Sequence, residues 1–391
     1  MFKQFPGEEI ECVMTRGEKY LDDGTRNPTV EFNTIEEDVI RRDLTINSLY
    51  YNCSTGEILD LIDGRSDIDN HIIKTTNPDA DQIFIDDPLR CLRVIRFATR
   101  YGWEIEKNTY EAMKRNVQRL KIITKERIQA EFNKILMSEN AVMGINMLHD
   151  IGAMSFIVPE FEKCYGLTQN RFHFGDVAEH TLAVLDYHCK HFDADLTERL
   201  ACFFHDIGKI MTRTVKDGKV HFYDHEYVGA EMVGDILREL KYDTDTIKKV
   251  QFLIRNHMRT KQAGDGAKYM KDKSLHKLLY ECKTFEMFKS LMRIIECDNE
   301  AHAKDCCIHN QYSELVAKVE LEGSHSKMFG YKLPVTGEDI MSVLGLEPGP
   351  IIAEINKRLL NQAFLDPEIS KERCIKLLPG IKKQAEQVLK K

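Results

Sequence analysis

Between residues 176 and 302 a helical hydrophobic pattern carries an ordered series of metal-ligand side chains. They are His180 in HTLAVLDY, His205 and Asp206 in RLACFFHDIGK, His225 in HEYVGAE, His257 in RNHM and Asp298 in IIECDNEAH. Nothing else in the sequence constrains the fold as strongly. A lone histidine on a helix is ordinarily a packing residue, whereas six ligand-type residues in this order call for a bundle that draws them to one point. Adjacent residues of a helix project about 100° apart, so His205 and Asp206 can face one ion held from the other side by His180 and Asp298. Mixed imidazole and carboxylate donors with open positions suit Mn²⁺, Ni²⁺, Mg²⁺ or iron better than a closed structural zinc. Such an ion polarises a phosphoryl oxygen and lowers the pKa of bound water. His225 and His257 complete a second metal position or bind the phosphate. Lys209, one helical turn after His205, is placed to neutralise charge developing on phosphate. His173, His188, His191 and His221 fit no ligand spacing and are read as surface or packing residues.

Composition narrows the setting. A chain of 391 residues exceeds one ordinary core, so two to four domains are expected. A net charge of −8 excludes uniform coating of a polyanion, yet the charge is unevenly spread. Residues 1–89 carry 8 basic and 20 acidic side chains, while residues 90–134 carry 12 basic and 5 acidic ones. Residues 351–391 are basic again, with 9 against 5. The two cationic segments either meet a polyanion or neutralise the acidic first part. No apolar run is long enough for a membrane span, and MFKQFPGEEI lacks the basic-then-apolar pattern of a signal peptide. The 11 cysteines contain no CxxC pair and read as reduced core fillers, so a cytoplasmic protein with no membrane partner is expected.

The first seventy residues alternate β-like runs (IECVMTR, PTVEF, ILDLI) with turns, and IEEDVIRRDLTINSLYYN between them reads as a helix leading into a loop. From Asp87 to about Leu148 the pattern is helical. In PLRCLRVIRFATRYG, Arg90, Arg93, Arg96 and Arg100 share one side, with Cys91, Val94, Ile95 and Ala98 opposite. ERIQAEFNKIL places Ile128, Phe132, Ile135 and Leu136 on one face. Residues 176–302 are read as helical again, with a mobile loop at Gly264–Gly266. After a break near SHSKMFGYKLP, Thr336 and Asp339 give a helix-cap signal. Trp103 is expected to anchor the core beside the arginine-bearing helix.

Two short motifs carry further chemistry. In IRRDLTINSL, Arg41 and Arg42 suit phosphate oxygens and Asp43 and Asn47 suit a sugar hydroxyl, although charged helix ends of this kind are common. In IDDPLRCLR, Asp87 and Arg90 stand three apart, which places them on one helix face. They form either an ion pair or a reader of base edges, the carboxylate accepting from an exocyclic amine and the guanidinium donating to a carbonyl or ring nitrogen.

RRDLTINSL, DLIDGRSDI, DDPLRCLRVIRFATRYG and ERIQAEFNKIL in this order resemble the class II tRNA nucleotidyltransferases, which comprise CCA-adding enzymes and bacterial poly(A) polymerases. The H…HD…H…H…D series resembles the HD phosphohydrolase superfamily, found in the body of some bacterial CCA-adding enzymes. The resemblance implies an α+β fold in four parts. These are a partial mixed-sheet head (1–70), a helical neck that selects nucleotide and binds RNA (71–150), an HD phosphohydrolase domain (165–310) and a helical, tRNA-binding tail (325–391). It matches Arg41, Arg42, Asp43 and Asn47 to phosphate and ribose binding, and Asp60, Gly64 and Asp67 to the coupling of head and neck. Asp87 and Arg90 match the protein template for CTP and ATP, with Glu126, Arg127 and Glu131 bracing it. Asp86 departs from the family's usual Glu. The Arg93, Arg96 and Arg100 face cradles tRNA phosphates or nucleotide, or else pairs with the acidic head.

The family head opens with a Gly-rich turn and a strand bearing DxD, whose carboxylates hold two Mg²⁺ ions. Asp79-Ala-Asp81, Asp193-Ala-Asp195 and Asp243-Thr-Asp245 match only by letters. EIECVMTR aligns with a later head strand, so the metal-binding strand is expected before Met1, with Glu9 or Glu11 as a remaining third carboxylate. Three explanations follow: a separate polypeptide supplies the strands, the start is misassigned, or transfer has been lost. The implied function is CCA addition to tRNA from CTP and ATP, with an HD site acting on 2′,3′-cyclic phosphates or 2′-nucleotides. The alternatives are a stand-alone HD hydrolase and a tRNA-binding remnant.

Overall fold

A computed structural model describes residues 14–19, 29–169, 175–260, 270–302, 307, 311–321 and 323–389. The chain divides into two compact units, one of residues 1–170 and 175–251 and another of residues 171–174 and 252–391. Most of IECVMTR, Glu9, Glu11, His173 and the Gly264–Gly266 loop lie outside the described residues.

The first unit begins with an antiparallel ribbon, Arg16–Lys19 on Thr29–Phe32. The helix Ile35–Ile40 follows, its first turn capped by Thr34. An extended turn, a single 3₁₀ turn at Thr45–Asn47 and a short ribbon, Tyr50–Tyr51 on Ile58–Leu59, complete the head segment. The expected mixed sheet is therefore realised, among the described residues, only as two-stranded pieces. One parallel pair, Ile72–Ile73 with Glu104–Ile105, fixes the helices that come next.

Those helices are Ala80–Asp86, Arg90–Tyr101, Lys107–Asn116, Lys125–Leu136 and Ala141–Asp150. Arg90–Tyr101 forms because its apolar positions recur at helical spacing. Cys91, Leu92, Val94, Ile95, Phe97 and Ala98 are buried, and Gly102 ends the helix in a left-handed conformation. Ile128, Phe132, Ile135 and Leu136 are buried as their spacing requires. Trp103 is only half-buried, stacked on His71 at 5.0 Å and tilted against Tyr101 at 4.9 Å, so it anchors the edge of this core rather than its centre.

The same core continues into the helices Val177–His191 and Leu196–Phe204. Phe132, Phe161, Phe203 and Phe204 are almost completely buried, with the Phe203 ring 5.7 Å from Phe132 and 4.4 Å from Phe161. Each such side chain contributes about 1.5–3 kcal/mol on burial. Arg199, fully buried, donates to the carbonyls of Leu136 and Ser138 and so fastens one helix to the end of another. Burial pushes the thiols of Cys164 and Cys189 up, to about 12 and about 11, in keeping with apolar fillers.

Residues 176–302 are not helical throughout. A β-hairpin, Arg213–Lys216 on Lys219–Phe222, precedes the helix His225–Glu239. The helix Thr244–Asn256 then carries the chain into the second unit. That unit contains Asp272–Cys282, Phe285–Glu300, Gln311–Leu321 and three final helices, Gly337–Leu344, Pro350–Ala363 and Lys371–Leu389. Ile340, Ile355, Leu359, Cys374, Leu378 and Ile381 pack the last three together. Thr336 and Asp339 form the capping box their spacing announced. Upstream, His276 is buried, with Nδ1 2.8 Å from the Phe364 carbonyl and Nε2 2.8 Å from Nδ1 of His325.

Candidate metal centre and nucleotide-facing cluster

His205 and Asp206 do not lie within a helix, which is the first correction to the sequence reading. Leu196–Phe204 ends at His205, and residues 205–208 form a turn. Gly208 makes the turn possible, because a Cβ there would lie 2.1 Å from the His225 carbonyl and 2.6 Å from the Gly229 amide. The turn therefore sits directly on the helix His225–Glu239, a contact no larger residue permits.

Its consequence is a cluster. Oδ2 of Asp206 lies 3.2 Å from Nε2 of His205 and 3.6 Å from Nε2 of His180, and the two histidine Nε2 atoms are 3.4 Å apart. Oδ1 of the same carboxylate is 3.3 Å from Nε2 of His225. Two donors each about 2.1–2.2 Å from an ion, at angles of about 90–110°, stand about 3.0–3.6 Å apart. The His180, His205 and Asp206 atoms thus have the spacing of three ligands of one divalent cation, and all three residues are buried.

Hydrogen bonds orient the rings. Nδ1–H of His205 donates to the Cys202 carbonyl at 2.9 Å, and that of His225 to the Phe222 carbonyl at 2.8 Å. Both partners stand three residues earlier, and the bond leaves each Nε2 lone pair for a ligand. Lys209 does not follow His205 along a continuous helix. Its ammonium instead lies 2.6 Å from Asp206 Oδ2 and donates to Gln169 Oε1 at 2.6 Å. Burial alone would raise the Asp206 carboxyl, but Lys209 and His205 outweigh it and hold it well below the usual carboxylate range. His188 is buried against Glu198 at 2.8 Å, a structural pair.

His257 and Asp298 belong to the second unit. His257 is fully buried, its Nδ1–H donating to the Ile254 carbonyl at 2.6 Å, the same three-residue lock as His205 and His225. Asp298 is buried on Phe285–Glu300, 3.7 Å from Nε2 of His302.

A second cluster gathers at the end of the helix Ile35–Ile40. Asp38, which sequence reasoning passed over, is its organiser. Its carboxylate accepts from Nε of Arg41 and of Arg42, both at 3.0 Å, and from the Tyr50 hydroxyl at 2.5 Å. The Arg42 guanidinium also lies over the Tyr50 ring. Burial and the Asp38 carboxylate together hold the Tyr50 phenol above its ordinary value. Asp43 accepts from the Asn47 amide at 3.3 Å and from Nε of Arg93 at 2.7 Å. Asp60 accepts from the backbone N–H groups of Ile62, Gly64 and Arg65, building the turn that follows.

Asp87 and Arg90 do not share a helix face, the second correction. Pro88 disfavours helical backbone at the residue before it, and Asp87 is extended, at φ −140° and ψ 101°. Asp87 accepts from Arg127 at 2.9 Å, while Arg90 donates to the carbonyls of Ile83 and Arg41 at 3.3 and 2.7 Å. Both side chains are half-buried rather than sealed. Arg96 pairs with Glu131 at 2.9 Å, and Glu126 is exposed. Of the arginine face, Arg93 thus reaches the head and Arg96 the helix Lys125–Leu136.

Comparison with known proteins matches this arrangement. The profile of the poly(A) polymerase head domain matches residues 2–74, that of the RNA and SrmB-binding site of polymerase A residues 102–165, and that of the HD domain residues 177–285. Head, RNA-binding segment and HD domain in this order define a class, the nucleotidyltransferase and poly(A) polymerase family with an appended HD domain. The chain matches all three segments in that order, and the relatives it resembles carry tRNA nucleotidyltransferase and CCA names. An A-adding tRNA nucleotidyltransferase of Deinococcus radiodurans is 28% identical over 335 residues, 83% of this chain and 74% of that one. A multifunctional CCA protein of Pseudomonas syringae pv. syringae is 31% identical over 282 residues, 69% of this chain and 65% of the relative. Against the multifunctional proteins the chain therefore spans a little under two thirds of their length. The Bacillus stearothermophilus CCA-adding enzyme, solved in complex with CTP, shares the fold with a TM-score of 0.66 at 19% identity, over 92% of this chain and 77% of that one. Among the described residues, no helix is long and apolar enough to cross a membrane.

Proposed function

We propose that the chain serves two activities of its family: nucleotidyl transfer to tRNA 3′ ends, and metal-dependent hydrolysis of phosphate esters in the HD segment. The observation that carries the second is the 3.2–3.6 Å spacing of the donor atoms of His180, His205 and Asp206. In this reading those three hold a divalent ion (Mn²⁺, Ni²⁺ or Mg²⁺) and His225 approaches the other oxygen of Asp206. His257 and Asp298 join by their place in the sequence series alone. A divalent cation held there would polarise a phosphoryl oxygen and lower the pKa of bound water. The backbone carbonyls keep the histidine Nε2 atoms aimed, and Lys209 keeps Asp206 ionised and lies beside the charge that grows on phosphate. With a 2′,3′-cyclic phosphate, water adds its oxygen to phosphorus and one ring P–O bond breaks. The released ribose oxygen takes up the proton. The purified chain, freed of metal and resupplied with Mn²⁺ or Ni²⁺, should hydrolyse 2′,3′-cyclic AMP or 2′-AMP. His205→Ala should lower the rate at least about 100-fold, and an unchanged rate in that variant would overturn the assignment.

For the transferase half, Arg41 and Arg42 take triphosphate oxygens, Asp43 and Asn47 the ribose, and Asp87 and Arg90 the base edge of CTP or ATP. Arg93 and Arg96 flank them. The names of the relatives support this reading and divide between A addition and multifunctional CCA proteins. The Mg²⁺-binding carboxylates are then supplied by a separate polypeptide that carries the DxD strand. Cytoplasmic tRNA is the substrate it implies. Incubation of tRNA lacking its 3′ end with Mg²⁺ and labelled CTP and ATP, with and without a family head fragment bearing DxD, tests it. Incorporation of A alone, or of C and A, separates the two specificities. Full incorporation by the chain alone would refute the assignment of the carboxylates.

A further inference from the structure

The hairpin beside the HD cluster has a surface that packing does not explain. Its reversal at Asp217 and Gly218 has φ of 52° and 71°, the pair of positive values that matches the twist of two antiparallel strands. A two-stranded ribbon is marginally stable alone and ordinarily turns its apolar side chains inward. Here all four residues of Arg213–Lys216 are exposed, Val215 among them, and Tyr223 is 64% exposed. The rings of His221 and Tyr223 stack at 5.2 Å and 7°, and the Tyr223 hydroxyl lies 3.3 Å from His221 Nδ1. The ribbon carries three cations, Arg213, Lys216 and Lys219, and a single acidic residue, Asp217.

The base of the ribbon is part of the cluster. The Phe222 carbonyl fixes the ring of His225, and the Phe222 ring lies 5.3 Å from the Lys209 ammonium. A flat aromatic platform among cations, continuous with a phosphate-directed centre, has the chemistry of single-stranded RNA: bases stack on rings while lysines and arginines follow phosphates.

We propose that the hairpin Arg213–Phe222, with Tyr223, is the arm that holds the 3′-terminal nucleotides of an RNA at the HD centre. One base stacks on the Tyr223–His221 pair, and Arg213, Lys216 and Lys219 contact the phosphates behind the terminal one. The arm makes a polynucleotide end a better substrate than a mononucleotide. This rests on the phosphohydrolase reading of the cluster.

The test compares three substrates of the metal-loaded full chain: a short oligoribonucleotide ending in a 2′,3′-cyclic phosphate, 2′,3′-cyclic AMP, and bis(p-nitrophenyl) phosphate. Tyr223→Ala and the double variant Lys216→Ala/Lys219→Ala should each lower kcat/KM on the oligonucleotide about 10-fold or more, through KM, and leave both small substrates within about twofold. Tyr223→Phe, which keeps the ring, should behave as wild type. Equal losses on all substrates, or no loss on the oligonucleotide, would overturn the arm. A wild-type chain inert towards all three would instead remove the hydrolase reading. Fluorescence anisotropy with a 3′-phosphorylated oligonucleotide then decides the arm separately, since unchanged affinity in both variants refutes it.

Discussion

Replacement of Asp38 by alanine should cost more than its position on a short surface helix suggests. The carboxylate is 3% exposed and receives Nε of Arg41, Nε of Arg42 and the Tyr50 hydroxyl. A hydrogen bond to a charged group contributes about 1.5–3 kcal/mol, but the Arg41 and Arg42 side chains are 21% and 34% exposed, and solvent screening reduces each bond to about 1 kcal/mol. Three such bonds give a loss of about 3 kcal/mol, or about 6–12 °C in Tm for a unit of this size. Asp38→Asn preserves the shape and one acceptor, so about half of that loss is expected. Both arginines should also lose their fixed positions, weakening binding of a nucleoside triphosphate about 10-fold or more. Differential scanning calorimetry and titration with CTP read the two effects. An Asp38→Ala protein that melts within about 1 °C of wild type would refute the view that this carboxylate organises the arginine pair.

Two further outcomes follow from the geometry. Mn²⁺ at about 100 times its dissociation constant should stabilise the metal-free chain by about 2.7 kcal/mol, a rise in Tm of about 5–10 °C that EDTA reverses. His205→Ala should melt at the same temperature with and without the ion, and an undiminished rise in that variant would count against the cluster. In the tail, the bond from Lys371 and those from Thr336 hold the Asp339 carboxyl down at about 2. A carboxyl depressed on folding gives stability that is complete above its unfolded pKa and is lost as pH falls through the folded one. Asp339→Asn should therefore lower Tm at pH 6, with the gap to wild type closing between about pH 4 and pH 2. A gap independent of pH in melts followed by circular dichroism would contradict this.

Periodicity made much of this protein legible. The buried side of Arg90–Tyr101, the four apolar positions of Lys125–Leu136 and the Thr336–Asp339 cap are local patterns enforced by helix geometry, so sequence spacing determines them. Asp38 also stands three and four residues before Arg41 and Arg42, a spacing that marks neighbours on a helix. It passed unnoticed because the arginines drew the chemistry to themselves. The hairpin was missed although Asp217-Gly218 between TVK and KVHF is a strong turn signal, because the surrounding helices dominated the window. Pro88 announced that Asp87 could not continue a helix into Arg90. Less legible was the turn at His205–Gly208, which depends on the close approach of a helix seventeen residues later.

Arg90 binds two main-chain oxygens from separate parts of the chain, those of Ile83 and Arg41. A side chain used in this way is a strut as well as a reader. Exchanging it for lysine would preserve the positive charge yet give up the planar fork that spans both carbonyls. Nucleotide misincorporation caused by such a change would therefore arise partly from a slackened joint between the first helix and the arginine-bearing one. A melting profile of the head segment, recorded beside the incorporation assay, tells these two origins apart.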